Sequence, residues 1–118
     1  DAREDARQFI QARLDAGEKV RGYEVDRRLK ERFEQLGCAQ YLMHRTGHNI
    51  GHRCHGIGAN LDDYETHDDR CLLPGTMFSI EPGLYTDKYG VRLEYDVHIT
   101  SEGETKVYGP VQDEILVI

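Results

Sequence analysis

The sequence has no long hydrophobic run and none of the marks of a secreted protein. No stretch of its 118 residues approaches the roughly 18 apolar positions that a membrane-spanning helix needs. No basic segment followed by an apolar one opens the chain, so no secretory signal is predicted. Low-complexity tracts are also absent, which argues against disorder. We therefore predict a globular protein of the cytosol that does not bind membranes.

Basic residues are scarce in the second part of the chain. Residues 1–43 hold nine acidic and nine basic side chains, whereas residues 44–118 hold thirteen acidic and six basic ones, which accounts for the net charge of −7. Nucleic acid is not expected to bind such a surface. The length suits one domain over 1–118. Because the chain lacks an initiator Met and opens within a charged helical pattern, we interpret it as a fragment of a longer protein.

Cysteine and serine are too few, and too poorly spaced, for the common chemistry of either residue. The three cysteines show no C-x-x-C spacing, which argues against a disulfide framework and a structural zinc site. Cys54 and His55 are adjacent, and on a strand they would point to opposite faces, so no nucleophile–base pair is predicted. Ser79 and Ser101 are the only serines. Neither lies in a G-x-S-x-G motif, which argues against a serine hydrolase.

The spacing of apolar residues changes once along the chain. Up to Gly37 these residues recur at helical intervals and predict two amphipathic helices, over 2–16 and 23–36, each followed by a glycine. Both helices have an apolar face that must cover another element.

Beyond Gly37 the apolar period is two, which is typical of strands. Strands are predicted over 76–81, 91–100 and 113–118. Strict alternation over 91–100 assigns one face of that strand to the core and the other to Arg92 and its charged neighbours.

Histidines and glutamates supply the strongest candidates for chemistry. Four of the six histidines fall within twelve residues: His44, His48, His52 and His55. The glycines among them favour turning backbone over a helix, which disfavours a helical metal site. Taken alone, the cluster fits surface histidines as well as metal ligands. Glu81 lies at a predicted strand end and Glu94 lies in mid-strand, where a solvated carboxylate is the ordinary alternative.

Three motifs and one histidine follow one another between residues 41 and 100. They are HRTGHNIG at 44–51, then His55, MFSIEPGLY at 77–85 and GVRLE at 90–94. In this order they resemble the carboxy-terminal half of a pita-bread metallopeptidase. The motif GVRLE resembles the prolidase, aminopeptidase P and creatinase branch, and the short interval from Glu81 to Glu94 is most similar to bacterial Xaa-Pro dipeptidases.

The resemblance implies an α+β fold in which two helices pack on a curved, mainly antiparallel sheet, with 1–118 forming part of a catalytic domain. The implied activity is a metal-dependent exopeptidase that cleaves the Xaa-Pro bond at the N-terminus of peptides or in dipeptides. Its implied partners are a proline-containing peptide substrate and a second copy or the missing amino-terminal half. Two alternatives stay open: a non-catalytic pita-bread module that binds proteins, and a creatinase-like amidinohydrolase.

The resemblance also implies which residues hold metal. His48 would bind one ion of a pair, Glu94 would bridge the two ions, and Glu81 would bind metal and accept the proton of the bridging water. The ions would be Mn, Co or Zn. The family takes two further aspartate ligands from a hairpin before the first helix, and these 118 residues hold no counterpart. We therefore expect partial or no metal occupancy in this chain alone.

Three other residues receive catalytic roles from the resemblance. His44 and His55 would contact the substrate and the tetrahedral intermediate, and Arg92 would orient the carboxylates. Asn49 stands where the family more often has glycine, and His52 stands where an aliphatic residue is usual. These departures lie beside the predicted ligands and bear on substrate preference.

Overall fold

Two helices open the fold, and each ends where a glycine adopts a left-handed conformation. The computed structural model describes residues 1–115 and 117. Helix α1 spans Ala2–Asp15 and helix α2 spans Gly22–Gln35. Gly17 and Gly37 follow them with φ of +71° and +69°, a conformation that costs glycine little. Both helices are confirmed to within one residue at each end.

Six short strands are formed by the described residues. They are β1 (Asn49–Ile50), β2 (Met77–Ile80), β3 (Gly83–Tyr85), β4 (Gly90–Arg92), β5 (Tyr95–Ile99) and β6 (Thr105–Tyr108). Four of them form an antiparallel sheet in the order β1-β2-β5-β6, and β3 and β4 form a separate antiparallel hairpin. A 3₁₀ turn, Ala39–Tyr41, follows α2.

The core lies between the helices and the four-stranded sheet. Helix α1 contacts β2 and β6 of the sheet as well as helix α2, and buried side chains of both helices belong to the same core. Fully buried apolar side chains come from all of these layers, among them Ala6, Ile10, Val25, Phe78, Ile80, Val97 and Ile99. This arrangement confirms the predicted α+β architecture of two helices on an antiparallel sheet. No helix in the described part of the chain is both long and apolar enough to cross a membrane.

The single strand predicted over 91–100 is wrong, because the strand is interrupted at Leu93 and Glu94. On one side of the interruption β4 pairs with β3, and on the other side β5 pairs with β2. The facing segment contains Pro82, which has no N–H to donate to a ladder. Two short ladders therefore replace one long hairpin.

The strand predicted over 113–118 is absent from residues 113–115 and 117, and residues 116 and 118 lie outside the described part. The sheet instead ends with β6. Gly103 makes the reversal that precedes β6, with φ of +84° and a hydrogen bond from its amide to the Thr100 carbonyl. The sequence of β6 is TKVY, in which the two apolar residues are adjacent, so it lacks the apolar alternation on which strand prediction depends.

Candidate metal centre

Two glutamates face each other where the two ladders separate. The ladder of β2 and β5 ends with Ile80 opposite Tyr95. Continuing that register sets Glu81 opposite Glu94, and the β3–β4 hairpin lies in the same register. Like charges directly opposite each other destabilise a strand pair. The interruption is therefore a place where a cation between two carboxylates stabilises the structure.

A buried histidine completes this position. The side chain of His48, which immediately precedes β1, is 9% exposed, and its Nε2 lies 3.3 Å from Oε1 of Glu81. Its Nδ1 lies 3.1 Å from the carbonyl oxygen of Asn49 and donates to it, because a carbonyl can only accept. In the neutral ring Nε2 therefore carries a lone pair, which points toward a carboxylate oxygen. A metal ion or a proton is required between those two atoms.

Together these three side chains form a set of metal ligands. One ligand atom from each of His48, Glu81 and Glu94 lies within 4.8 Å of the other two. An imidazole and two carboxylates suit divalent ions such as Mn²⁺, Co²⁺ and Zn²⁺. Exposure increases from the buried His48 through Glu81 to Glu94, which is exposed. The residues present therefore fit a divalent metal, with the open side at Glu94.

A buried serine for which no motif in the sequence predicts a role links two of these ligands. Ser79 is fully buried on β2, and its Oγ accepts the backbone N–H of His48 at 3.0 Å. The same hydroxyl donates to Oε1 of Glu81 at 3.1 Å. Ser79 therefore fixes both the backbone of the histidine and the carboxylate of the glutamate. Its position two residues before Glu81, on the same face of a strand, is the signal that could have identified it.

His44 contacts Tyr85 of β3 and is held in one tautomer. Its Nδ1 donates to the carbonyl of Arg45 at 2.7 Å, so its Nε2 accepts the hydroxyl of Tyr85 at 2.8 Å. A Cβ atom at Gly83 would lie 2.8 Å from His44 Nε2 and 2.7 Å from the Tyr85 hydroxyl. Only glycine at that position leaves room for this pair.

His55 reaches the cluster from a loop that Asn49 holds in place. The rings of His48 and His55 pack edge to face with centroids 4.4 Å apart. The side chain of Asn49 accepts the amide of Gly58 at 3.0 Å and donates to the carbonyl of Met77 at 3.1 Å. The asparagine that departs from the family pattern thus joins the loop over 51–58 to β2. His52, in the same loop, is exposed and is not part of the cluster.

Arg92 approaches the cluster from β4 without a hydrogen bond to it. Its Nη1 lies 3.7 Å from Oε2 of Glu81, and its side chain is about half exposed. At this distance the guanidinium acts on the carboxylate by charge rather than by directed bonding.

A partly buried carboxylate, Asp26 of α2, is linked to Glu81 through Thr46. One of its oxygens accepts both the amide and the hydroxyl of Thr46, at 2.8 and 2.6 Å, and the other accepts the amide of Asp63 at 2.7 Å. The Thr46 carbonyl in turn accepts the amide of Glu81 at 2.8 Å. Burial raises the pKa of Asp26 above its ordinary value. No motif in the sequence singles out this helical aspartate.

Relatives with similar sequences are peptidases by name. A probable dipeptidase, PepE of Mycobacterium tuberculosis strain H37Rv, is 36% identical over 90 residues, which is 75% of this chain and 23% of the relative. An Xaa-Pro dipeptidase of Lactobacillus helveticus is 32% identical over 102 residues, 82% of this chain and 26% of the relative. The chain thus spans about a quarter of the length of these curated relatives.

Solved structures with the same fold also bear peptidase names. A dipeptidase from Pyrococcus horikoshii OT3 superposes with a TM-score of 0.79 at 28% identity over 99% of this chain and 30% of that one. PepE from Mycobacterium ulcerans gives a TM-score of 0.75 at 28% identity over 94% of this chain and 28% of that one. The model of metallopeptidase family M24 matches residues 3–101. Because that match covers most of the sequence, this chain belongs to metallopeptidase family M24.

Proposed function

We propose that this chain is the part of a metal-dependent exopeptidase that supplies three ligands and the proton acceptor for cleavage of Xaa-Pro bonds. One observation carries the proposal: His48, Glu81 and Glu94 come from three separate segments, yet their ligand atoms lie within 4.8 Å of one another. Family membership makes peptide hydrolysis the reaction to expect of this cluster.

The three ligands would hold divalent cations, and Glu94 would be the shared one, since it lies on the open side of the cluster. Two such cations, when bound, lower the pKa of a water molecule between them and polarise the scissile carbonyl. Manganese, cobalt and zinc all fit this mixed set of nitrogen and oxygen donors.

Glu81 would accept the proton of the attacking water. Its Oε1 already accepts the Ser79 hydroxyl, so Oε2 is the oxygen that remains for the proton. Arg92 faces that oxygen at 3.7 Å, and its positive charge would help to hold the carboxylate in place. The serine and the arginine would thus act as positioning residues for the glutamate.

His44 and His55 would contact the substrate. In the resting arrangement Nε2 of His44 accepts the Tyr85 hydroxyl, so a substrate group that bonds to the ring would have to take over that contact. His55 lies on the solvent side of His48 and is exposed. His44 contacts Tyr85 and His55 contacts His48, so a bound peptide would meet histidines from two different segments.

Preference for proline rests on the named relatives. The Xaa-Pro dipeptidase of Lactobacillus helveticus matches across 82% of this chain. We propose the same substrate class here, a proline-containing dipeptide or peptide N-terminus.

The test compares this chain with a form that extends upstream through two aspartates about eleven positions apart. Metal content and hydrolysis of an Xaa-Pro dipeptide are measured for both, with creatine as a second substrate. We expect the 118-residue chain to retain at most one ion at partial occupancy and to show little turnover. The reason is that three protein ligands supply too few donor atoms and too little negative charge to hold two cations close together.

The extended form should bind two ions and hydrolyse the dipeptide, and Glu94→Gln in that form should lose both properties. Full turnover by the short chain would contradict the assignment of roles. An inactive extended form with both ions bound would contradict it as well, and turnover of creatine instead of the dipeptide would identify the amidinohydrolase.

A further inference from the structure

A second group of candidate ligand atoms meets at His48, and it contains neither of the two glutamates. Nitrogen or sulfur atoms of His48, Cys54 and His55 all lie within 4.8 Å of one another. The prediction that Cys54 and His55 diverge assumed a strand. Residues 51–55 instead form consecutive bends, so adjacent side chains there can converge on the same point.

Both groups depend on the same nitrogen atom. Nδ1 of His48 donates to the Asn49 carbonyl, so Nε2 is the only nitrogen of that ring with a lone pair to offer a metal. Nε2 lies 3.3 Å from Glu81, and the His55 ring packs against the same imidazole with centroids 4.4 Å apart. One nitrogen cannot bind an ion of the carboxylate group and an ion of the thiol group at the same time.

The two groups differ in the metal that each prefers. Carboxylate-rich sets accept Mn²⁺ readily, whereas a thiolate with two imidazoles favours the softer Zn²⁺. Three protein ligands and a water molecule give the tetrahedral coordination that Zn²⁺ adopts in open sites. Cys54 and His55 are both exposed and lie on a loop, so small shifts can bring the three atoms to bonding distance.

We propose that His48, Cys54 and His55 form a zinc site that competes with the His48–Glu81–Glu94 site for Nε2 of His48. On binding, Zn²⁺ accepts lone pairs from two imidazole nitrogens and one sulfur, and the proton of the Cys54 thiol passes to solvent. The site switches His48 out of the carboxylate group when Zn²⁺ is in excess. This inference does not require the proposed peptidase activity, because the binding can be measured without turnover.

The test is a titration of the reduced protein with Co²⁺ as a spectroscopic substitute for Zn²⁺. Bonding of sulfur to Co²⁺ gives a charge-transfer absorption in the near ultraviolet that imidazole and carboxylate ligands do not give. We expect this band in the wild type, its loss in Cys54→Ser, and its displacement by added Zn²⁺. In His55→Ala the Co²⁺ affinity measured from the band should fall at least about tenfold.

Two matched controls separate this site from other thiols and from the carboxylate site. Cys71→Ser changes a half-buried cysteine outside the cluster and should keep the band unchanged. Glu94→Gln should also keep the band. Because this substitution weakens the competing His48–Glu81–Glu94 site, the affinity for Co²⁺ at the thiol site should stay equal or increase.

Absence of the band in the wild type, or its persistence in Cys54→Ser, would overturn the proposal. Loss of the band in Glu94→Gln would also overturn it, since the two sites would then be one. Circular dichroism of each variant establishes that the fold is retained, and Cys54 is exposed, so its replacement by serine removes no core packing. If the peptidase proposal fails instead, the band is unaffected.

Discussion

At the scale of single residues, one hydroxyl group determines whether the candidate metal ligands are held in place. Ser79 is fully buried, accepts the amide of His48 and donates to the carboxylate of Glu81. A buried donor that loses its partner retains the full cost of its removal from water. The hydroxyl is therefore a determinant of both stability and metal affinity.

Replacing Ser79 with alanine should lower the free energy of unfolding by about 1–3 kcal/mol, because the His48 amide is left without an acceptor. The affinity for Co²⁺ at the carboxylate site should fall as well, since the Glu81 side chain gains rotational freedom. Urea unfolding and metal titration measure the two effects. The control is Ser101→Ala, which replaces the only other serine. Ser101 is exposed, so this substitution should change the free energy of unfolding by less than about 0.5 kcal/mol. Equal effects of the two substitutions would contradict this role.

A buried aspartate outside the cluster should make stability depend on pH. Asp68 is 4% exposed, and its carboxylate accepts the Nε–H of Arg70 at 2.8 Å and the amide of Asn60 at 2.8 Å. These interactions, the bonds from Arg70 above all, lower the pKa of Asp68. A carboxyl whose pKa is lowered by folding stabilises the protein above its unfolded pKa, about 3.9 for aspartate, and loses that contribution as the pH falls through the lowered value.

Asp68→Asn should therefore destabilise the protein at neutral pH by about 1–3 kcal/mol. The NH₂ group of asparagine is a donor and would lie beside the N–H groups that the carboxylate accepts. The difference from wild type should shrink as the pH falls below about 4. Urea unfolding at a series of pH values measures it, with the exposed Asp69→Asn as the matched control. A difference that stays constant down to the acid limit of folding would show that charge at Asp68 is not the cause.

At the scale of elements, the loop over 51–58 depends on β1 for its shape. The Asn49 side chain accepts the Gly58 amide, and the Asn49 carbonyl accepts the Gly56 amide at 2.8 Å. Through these bonds two residues of the loop are fixed to the edge of the sheet. The placement of His55 against His48 follows from that attachment.

Asn49→Ala should free this loop while the helices stay folded. We expect faster amide hydrogen exchange at Gly58, because its acceptor is removed, and a loss of about 1–3 kcal/mol in the free energy of unfolding. Exchange measured by mass spectrometry or NMR tests this. His52→Ala, an exposed position in the same loop, serves as the control and should leave exchange at Gly58 unchanged. Unchanged protection of Gly58 in Asn49→Ala would show that the loop is held by other contacts.

Elements with a regular apolar period could be predicted, and those set by tertiary contacts could not. Both helices could be predicted from the spacing of their apolar residues and from the glycines that follow them. Packing one face of a helix requires an apolar residue every three or four positions, and this spacing is visible in the sequence. The interruption at Leu93 and Glu94 could not be predicted, since the apolar alternation continues through it and Pro82 lies on the facing segment, between β2 and β3. The candidate ligands and the Ser79–Glu81 spacing could be found in the sequence, whereas the bond from the His48 amide to Ser79 depends on a strand pairing that one sequence does not display.

At the scale of the whole molecule, apolar surface remains near the β3–β4 hairpin. A cavity of about 490 Å³ there is lined mainly by apolar side chains, including Phe33, Leu84, Val91 and Leu93. Val91 is 50% exposed. Unpaired strands and exposed apolar surface tend to recruit another chain. We therefore predict that this chain forms a dimer or a larger assembly.

Sedimentation over a wide concentration range should show association of the 118-residue chain. Val91→Lys should weaken association at least about tenfold, because a charge within this exposed apolar surface opposes its burial against another chain. Val111→Lys, at a residue of similar exposure outside the strands, is the control and should have a smaller effect. A single monomeric species at all concentrations would contradict the prediction.

The opposed pair of glutamates also limits where the chain can change length. Side chains on a strand alternate between faces, so one residue inserted between Ile80 and Glu81 would turn Glu81 away from Glu94. The turn over 86–89 is different, because residues added there extend the hairpin beyond its last pair without moving either glutamate. Insertions and deletions should therefore be tolerated at the tip of the hairpin and rejected at its base. The number of residues between the two glutamates can vary, while their positions on the facing strands cannot.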